Sequence, residues 1–355
     1  MKLNHLLNVQ SPWLKIAEED TGIILSSWLN LSRNLKATPF LSQINAADKL
    51  VLKNFISEKI ENSLKNYKFD KIKLDEIDPI DLGLLKERRL IERTTPAYIE
   101  SAELLHTTTE SKSILINGND HIKIQIAHHG LSASLLWPQI SHLDDELMHI
   151  FQYAYTDQFG FLTSSLNQVG TSLKVEILLH LPAFVFTGRI NQKIHQLLGE
   201  GIFIRHFFED TDMPIGNLFL ISNQKTIGSS ELEIIEKLES CAIQLSLEEK
   251  TLRETLFTSN QQEFLDKIHR AYGLLANSYH MSFQETFTYL SILKIGIDLK
   301  VLEFITPQNW CKLFMNCLPA HIQEIEGEAL TKEKIDQVRS SILSKKLKAL
   351  EHKIN

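Results

Sequence analysis

The sequence predicts an α/β fold, with a sheet and flanking helices up to about residue 250 and a helical domain after it. Runs rich in β-branched and aromatic residues fill the segment 113–228, as expected for strands. Two stretches with helical spacing interrupt these runs. From about residue 250 onward the apolar residues recur with the 3.6-residue period of helices. We therefore expect two domains, 1–250 and 251–355.

The strand signals differ in strength along the chain. Residues 23–25, IIL, form a short β-like run near the N-terminus. In HIKIQIAH, Ile122, Ile124 and Ile126 alternate with polar residues, which is typical of a strand with one buried face. Three further runs complete the predicted sheet, namely VEILLHL at 175–181, IFIRHFF at 202–208 and NLFLIS at 217–222.

The helices are indicated by spacing and by capping signals. DDELMHIFQYAY at 144–155 has helical spacing, and Ser230 with Glu233 forms the S-x-x-E box that opens a helix. A second such box, Ser282 with Glu285, lies in the C-terminal part. The helical patterns there are QEFLDKIHRAYGLLANS, TFTYLSILKIGIDLKVL, PQNWCKLFMNCL and TKEKIDQVRSSILSKKLKALEHK.

Composition restricts the classes of function. The 355 residues are 43% hydrophobic, and 44 acidic against 37 basic residues argue against a nucleic-acid or anionic-membrane partner. We find no signal peptide and no apolar run near the ~20 residues of a spanning helix. Cys241, Cys311 and Cys317 form neither an even disulfide set nor a zinc pair. We expect a cytoplasmic protein without a metal site.

The stretch INGNDH at 116–121 is the most informative turn. Asn117-Gly118 is the favoured pair for a two-residue hairpin turn with positive φ at both positions, and we favour this interpretation. Asp120 and His121 offer an acid/base pair as the alternative, but the sequence does not fix their geometry.

Other small motifs carry little information alone. Gly170-Thr171-Ser172 is a weak signal for a phosphate cradle. His128, His129 and His180 are interpreted as sheet residues, because they show no metal-ligand spacing.

Several stretches taken in order are far more specific. ILSSWLNLSRNLKATPF at 24–40 is similar to the motif S-[ST]-R-x-R-L-A-R-N, and LKERRLI at 85–91 to E-R-H-L-I. ILINGNDHIKIQ at 114–125 is similar to N-E-E-D-H-x-R-x-Q, and FGFLTSSLNQVGTSLKVEILLHLPAF at 159–184 to F-G-Y-L-T-S-C-P-T-N-x-G-T-G-x-R-A…H-L-P-A. The chain thus resembles the ATP:guanidino phosphotransferase family, and within it the bacterial protein-arginine kinases, over about residues 20–350.

The resemblance implies a fold and an activity. The fold is a mostly antiparallel sheet flanked by helices, followed by a C-terminal helical domain. Active members transfer the γ-phosphoryl group of Mg-ATP to protein arginines, marking client proteins for a Clp-type protease. A small zinc-finger activator protein and a homodimer are the partners that the resemblance implies. Mg-ATP is the expected cofactor if the chain is active, and none otherwise.

The departures from the family motifs fall on the reactive positions. The phosphate-gripping arginines of the family correspond to Trp28, Asn30, Lys123, Lys174 and Arg205, of which one is still arginine. Lysine lacks the planar fork that holds phosphate oxygens bidentately. The two glutamates that handle the guanidinium correspond to Gly118 and Asn119, and neither replacement can take a proton.

Some candidate residues remain. On the nucleotide side these are Ser27, Arg89, Lys123, Lys174 and Arg205, with Arg33 as a further positive charge. The catalytic candidates, by resemblance, are Glu209 and Asp210, and Asp210 is the one acid that could be retained. Asp336 and Arg339 match part of the family's phosphoarginine motif, although we favour an ordinary helix-surface pair.

We therefore expect a catalytically impaired pseudokinase that acts as a regulatory or interaction protein. One alternative is an active, divergent arginine kinase that uses Asp210 as its base. The other is a non-catalytic phosphoarginine reader that uses Asp336 and Arg339.

Overall fold

The computed structural model describes residues 3–16, 22–92, 99–208 and 214–352. The strands in these ranges are β1 Ile24–Arg33, β2 Asp70–Lys73, β3 Glu103–His106, β4 Lys112–Ile116, β5 Ile122–His129, β6 Tyr155–Thr156, β7 Gly160–Phe161, β8 Leu173–His180, β9 Ile202–His206 and β10 Leu218–Asn223. The α-helices are α1 Ala46–Ser63, α2 Pro79–Glu87, α3 Ala133–Ile150, α4 Pro182–Phe186, α5 Ile190–Gly199, α6 Glu231–Ser259, α7 Gln261–Asn277, α8 Phe283–Asp298, α9 Pro307–Asn316, α10 Pro319–Glu326 and α11 Lys332–Glu351.

Eight of these strands form one sheet in the order β2-β3-β4-β5-β1-β8-β10-β9, and β6 pairs with β7 separately. The neighbours β2–β3, β3–β4, β4–β5 and β5–β1 are antiparallel. The C-terminal part is helical from α7 to α11. The predicted antiparallel sheet with flanking helices and a helical C-terminal region is confirmed.

The predicted strands are confirmed, but one helix lies elsewhere. The helix predicted over 144–155 is α3, which begins at Ala133 and ends at Ile150. Its earlier turns bury Leu136 and Ile140. Pro138 lies inside the helix, and proline normally indicates that a helix is absent because it has no N–H to donate. The start of α3 at Ala133 was therefore not predicted.

Both predicted capping boxes are present. The Ser230 N–H donates to Glu233 Oε2 at 2.8 Å, and the Glu233 N–H donates to Ser230 Oγ at 3.3 Å. Ser282 and Glu285 make the same reciprocal pair before α8. Each box satisfies backbone donors that the first turn of a helix leaves without partners.

The chain divides into two compact units. The first consists of Met1–Trp13, Ser26–Glu176 and Ser222–Glu239, and the second of Leu14–Leu25, Ile177–Ile221 and Ser240–Asn355. The division of the chain at residue 250 stays a prediction.

A buried arginine holds the first unit together. The guanidinium of Arg33, at the end of β1, pairs with Asp144 on α3, with Nη2 and Oδ2 2.6 Å apart. Its Nη1 donates to the carbonyls of Ser32 and Thr171 at 2.9 and 3.2 Å. The Phe161 ring lies 3.7 Å from the guanidinium carbon. One side chain therefore joins β1, α3 and the segment before β8.

A buried histidine, His180, joins elements of the second unit, because it contacts Ser291 on α8 and Arg253 on α6. His180 Nε2 lies 2.7 Å from Ser291 Oγ, and Arg253 Nη2 donates to His180 Nδ1 at 3.1 Å. A ring nitrogen that accepts a hydrogen bond carries no proton, so the imidazole is neutral and its hydrogen is on Nε2. Burial, with Arg253 and Lys294 nearby, holds the pKa of His180 well below its ordinary value of 6.5.

Replacement of Asp144 by alanine should destabilise the protein by about 3–5 kcal/mol, because it leaves the Arg33 charge buried without its partner. The measurement is the free energy of unfolding in urea. Asp145→Ala is the control, since Asp145 is the exposed neighbour on the same helix and should change stability by less than about 0.5 kcal/mol. Equal effects of the two substitutions would contradict the role of the ion pair.

Lowering the pH should also reduce the stability of the fold because of His180. The unfolded chain binds a proton on this ring near pH 6.5, whereas the folded chain binds it only at much lower pH. Each pH unit between these values thus removes up to about 1.4 kcal/mol. His180→Gln should flatten the dependence of unfolding free energy on pH between about 5 and 6.5. His142→Gln, which removes an exposed histidine, is the control and should keep that dependence. An unchanged slope in His180→Gln would count against this assignment.

Candidate functional site

One face of the sheet in the first unit carries Trp28, Asn30 and Lys123, and we call it the polar face. By the resemblance, these are three of the positions that correspond to phosphate-binding arginines of the family. Side chains alternate across a strand, so Trp28 and Asn30 on β1 share one face of the sheet. In the antiparallel register with β5, Asn30 is opposite Gln125 and Ser32 is opposite Lys123. Opposite residues lie on the same face, so Lys123 joins Trp28 and Asn30 there.

Lys123 is paired with a carboxylate. Its Nζ lies 2.9 Å from Glu92 Oε1, and Asn119 Nδ2 donates to Glu92 Oε2 at 3.1 Å. Lys123 lowers the pKa of Glu92, and Lys174 lowers it further, so this carboxyl is ionised at neutral pH. The side chains of Lys123 and Glu92 are 22% and 35% exposed, so the pair lies at the surface of the face.

Arg89 and Lys174 share a second carboxylate. Arg89 Nη2 lies 3.0 Å from Glu176 Oε2, and Lys174 Nζ lies 3.5 Å from Glu176 Oε1. The guanidinium carbon of Arg89 lies 4.9 Å from the centre of the Trp28 ring, which packs at 5.5 Å on Trp13. Trp28 thus lies where the family motif has an arginine. Its indole ring makes a cation–π contact with Arg89, and it has no charge with which to bind a phosphate.

Arg33 does not offer the free positive charge that the sequence suggested. Its side chain is 2% exposed, and Asp144 neutralises it at 2.6 Å. The expectation failed because the sequence does not show which carboxylate, 111 residues away along the chain, packs against a given arginine.

The INGNDH stretch is a hairpin, but its turn is longer than predicted. Ile116 pairs with Ile122, so residues 117–121 connect β4 to β5. Within those five residues, all of them described, Asn117 is the one with positive φ, at 55°. Its amide donates to the carbonyls of Lys49 and Ser101 at 2.8 and 3.2 Å. The two-residue turn was wrong because these tertiary hydrogen bonds hold Asn117 at the start of a wider loop.

The loop carries no carboxylate at the positions aligned with the family's glutamates. A Cβ on Gly118 would lie 2.9 Å from Leu115 Cδ2, so the backbone packs on a side chain there. Asn119 donates its amide to Glu92, and its carbonyl accepts the Ser164 hydroxyl at 2.9 Å. Both residues have structural contacts, and neither is a base.

Asp120 and His121 are separate anchors and do not form an acid/base pair. Asp120 Oδ1 accepts from Asn34 Nδ2 at 2.6 Å and from the Ser164 N–H at 2.7 Å. His121 Nδ1 accepts the Leu35 N–H at 3.0 Å, so its Nε2 carries the hydrogen and donates to the Pro39 carbonyl at 3.0 Å. Burial lowers the pKa of His121, which keeps the ring neutral.

The Gly170-Thr171-Ser172 loop uses its polar groups within the protein. Gly170 has φ of 121°, and a Cβ there would lie 2.7 Å from the Thr226 carbonyl. The Thr171 carbonyl accepts from Arg33, and Ser172 Oγ accepts the Ser32 N–H at 3.2 Å. The positive φ and the close packing explain why glycine occupies position 170. The motif therefore supplies no evidence for a phosphate cradle.

The other predicted residues on the nucleotide side are less favourably placed. Ser27 points to the opposite face of β1 from Trp28, where its hydroxyl donates to the Gly130 carbonyl at 2.8 Å and accepts the Ser132 N–H at 3.1 Å. Arg205 is half-buried on β9, in the second unit. The assignments of Ser27 and Arg205 stay predictions.

The predicted catalytic residues Glu209 and Asp210 lie outside the described residues. Their assignment therefore stays a prediction that rests on the resemblance.

Asp336 and Arg339 are not the helix-surface pair that we favoured. Their side chains are 6% and 1% exposed, and they pair with each other inside the second unit. Arg339 Nε donates to the Cys317 carbonyl at 2.9 Å, and Nη1 donates to the Met281 carbonyl at 3.0 Å. The surface interpretation was wrong because this face of α11 packs against the protein. The assignment to phosphoarginine binding stays a prediction that this burial does not favour.

The described residues limit the chemistry. They contain no group of three or more His, Cys, Asp and Glu placed to hold a metal ion, and no helix among them has the length and apolarity to cross a membrane. A nucleotide triphosphate does not fit the polar face as it stands. Trp28 and Asn30 carry no charge, and Glu92 and Glu176 already occupy Lys123, Lys174 and Arg89.

Comparison with protein families and curated proteins gives a consistent relationship. The family model for the ATP:guanido phosphotransferase C-terminal catalytic domain matches residues 51–252, and that for the protein-arginine kinase McsB C-terminal domain matches 261–355. A protein-arginine kinase from Bacillus mycoides is 32% identical over 354 residues, which are 98% of this chain and 99% of that protein. A protein-arginine kinase from Halothermothrix orenii is 31% identical over 353 residues, with the same coverage of both chains.

Solved structures show the same fold. The duplicated taurocyamine kinase from Schistosoma mansoni, with bound transition state analog components, matches with a TM-score of 0.58 at 16% identity, over 76% of this chain and 42% of that one. Lombricine kinase matches with a TM-score of 0.58 at 14% identity, over 68% and 70% of the two chains. From its sequence relatives and its fold, this chain belongs to the ATP:guanido phosphotransferase family, in the protein-arginine kinase branch.

Proposed function

We propose that this chain is a pseudokinase of the protein-arginine kinase branch, which keeps the fold and acts as a regulatory or interaction protein. The observation that carries the proposal is the loop 117–121 between β4 and β5. Where the family motif has two glutamates, this loop has Gly118 packed on Leu115 and Asn119 bonded to Glu92.

The loop lacks a group that can prepare an arginine for phosphorylation. A guanidinium attacks only after it is oriented and gives up a proton, which requires a positioned base. Asn119 is a neutral amide, and Asp120 is 2% exposed and bonded to Asn34 and Ser164. Neither residue can act as that base without breaking the contacts that hold the loop.

The charge of the polar face supports the same proposal. Phosphoryl transfer is catalysed mainly by positioning and by neutralising phosphate charge. In this chain Lys123 is paired with Glu92, and Arg89 and Lys174 share Glu176. Cations that are paired with carboxylates attract a triphosphate weakly. Mg-ATP is the cofactor that the family relationship implies for an active member.

The regulatory role leaves the partners as proposals. A small zinc-finger activator, protein clients and a second copy of this chain follow from the resemblance. The alternative of an active kinase depends on Asp210 as base, with Lys123, Lys174 and Arg205 on the phosphates.

The protein should form no phosphoarginine when incubated with Mg-ATP, a substrate protein and the activator of an active relative. Mass spectrometry at neutral pH detects the modification, and the Bacillus mycoides kinase in the same assay is the positive control. Phosphoarginine formed by the wild type and lost in Asp210→Asn would establish the active alternative instead. Formation that survives in Asp210→Asn would reject both the pseudokinase and Asp210 as the base.

Millimolar Mg-ATP should leave the Tm of the wild type unchanged. A ligand that binds the folded state at 100 times its Kd adds about 2.7 kcal/mol of stability, which a thermal scan detects easily. The active relative should show a rise under the same conditions. A rise in this chain that depends on ATP concentration, and that is lost in Lys123→Ala, would show that the nucleotide site survives.

A further inference from the structure

We propose that Glu92 is a tethered anion that fills the anion-binding place of the polar face, so that the face is a latent oligophosphate site blocked by the chain's own carboxylate. This inference rests on the proposed function only in that the face no longer serves phosphoryl transfer. It adds a device that keeps anions out, and a residue that controls it.

The Glu92 carboxylate contacts Lys123 and Asn119. Glu92 bridges two positions that align with reactive residues of the family, because Oε1 contacts Lys123 at 2.9 Å and Oε2 contacts Asn119 at 3.1 Å. Lys174 also acts on Glu92, since its charge lowers the pKa of that carboxyl. A carboxylate paired with Lys123, whose pKa Lys174 also lowers, takes the electrostatic place that phosphate oxygens would take.

The cations of the polar face are nearly balanced by its carboxylates. Three cations, Lys123, Lys174 and Arg89, face two carboxylates, Glu92 and Glu176. An anion attracted by these cations is therefore also repelled by the two carboxylates. Removal of the Glu92 charge would leave Lys123 without its carboxylate partner and would expose both lysines to an incoming anion.

The two carboxylates differ in exposure, and Glu92 is the one that blocks the site. Glu176 is 7% exposed and lies between Arg89 and Lys174, so its removal would disturb buried charges. Glu92 is 35% exposed and makes a surface ion pair, which contributes little to stability. Lys123 and Lys174 are also partly exposed, at 22% and 35%, so an anion reaches them from water.

The test is calorimetry of the full-length protein with sodium tripolyphosphate at low ionic strength. The wild type should bind weakly, and Glu92→Gln should bind at least about tenfold more tightly, because a repelling charge is replaced by a neutral amide of the same shape. The gained affinity should fall as salt is added. Titration with ATP beside tripolyphosphate identifies the source, since equal affinity means that the phosphate chain alone is recognised.

Three variants serve as controls. Glu248→Gln removes a carboxylate of equal exposure, 36%, from its pair with Lys193 at 2.7 Å, and it should gain nothing. Glu92→Asp keeps the charge and should bind as weakly as the wild type. Glu92→Gln combined with Lys123→Met should lose the gained affinity, because the receiving cation is gone.

Two outcomes would overturn the inference. One is a Glu92→Gln variant that is folded by circular dichroism and binds tripolyphosphate no better than the wild type, with Glu92→Ala as a second route to the same loss of charge. The other is tight binding by the wild type, which would show that the carboxylate does not block the site. Either result leaves the pseudokinase proposal standing, because the phosphoarginine assay on the wild type tests that separately.

Discussion

The first unit depends on the buried ion pair between Arg33 and Asp144. A guanidinium has five donors in a fixed plane, and here they reach a helix, the end of β1 and the carbonyl of Thr171 at once. This fixes α3 and the segment before β8 relative to β1, the strand that carries Trp28 and Asn30. The charge of Arg33 is therefore part of the structural core of this unit.

The cations of the polar face are paired with groups of the same unit. Trp28 stacks on Arg89, Arg89 and Lys174 hold Glu176, and Lys123 holds Glu92. In each of these contacts, a cation is bound by a carboxylate or an aromatic ring of the first unit. A face built in this way is stable without a bound anion, which agrees with the loss of the carboxylates from the loop 117–121.

A buried polar network stabilises each of the two units. His180, Arg253 and Ser291 are bonded together in the second unit, and Arg253 also pairs with Glu249 at 2.7 Å and Asp298 at 2.9 Å. These groups are satisfied among themselves, and buried polar groups that lose a partner are costly. His180, Arg253 and Ser291 do not correspond, by the resemblance, to the phosphate-binding arginines or the glutamates of the family motifs.

The sequence by itself determined the strands, the capping boxes at Ser230 and Ser282, the family, and the presence of Gly118 and Asn119 in the loop between β4 and β5, because these depend on local pattern and on residue identity. It did not determine the length of the turn at Asn117, the start of α3 or the burial of Arg339. Tertiary structure alone decided which charges meet. Arg33 with Asp144 and Arg89 with Glu176 are pairs 111 and 87 residues apart, and no local pattern encodes such a distance.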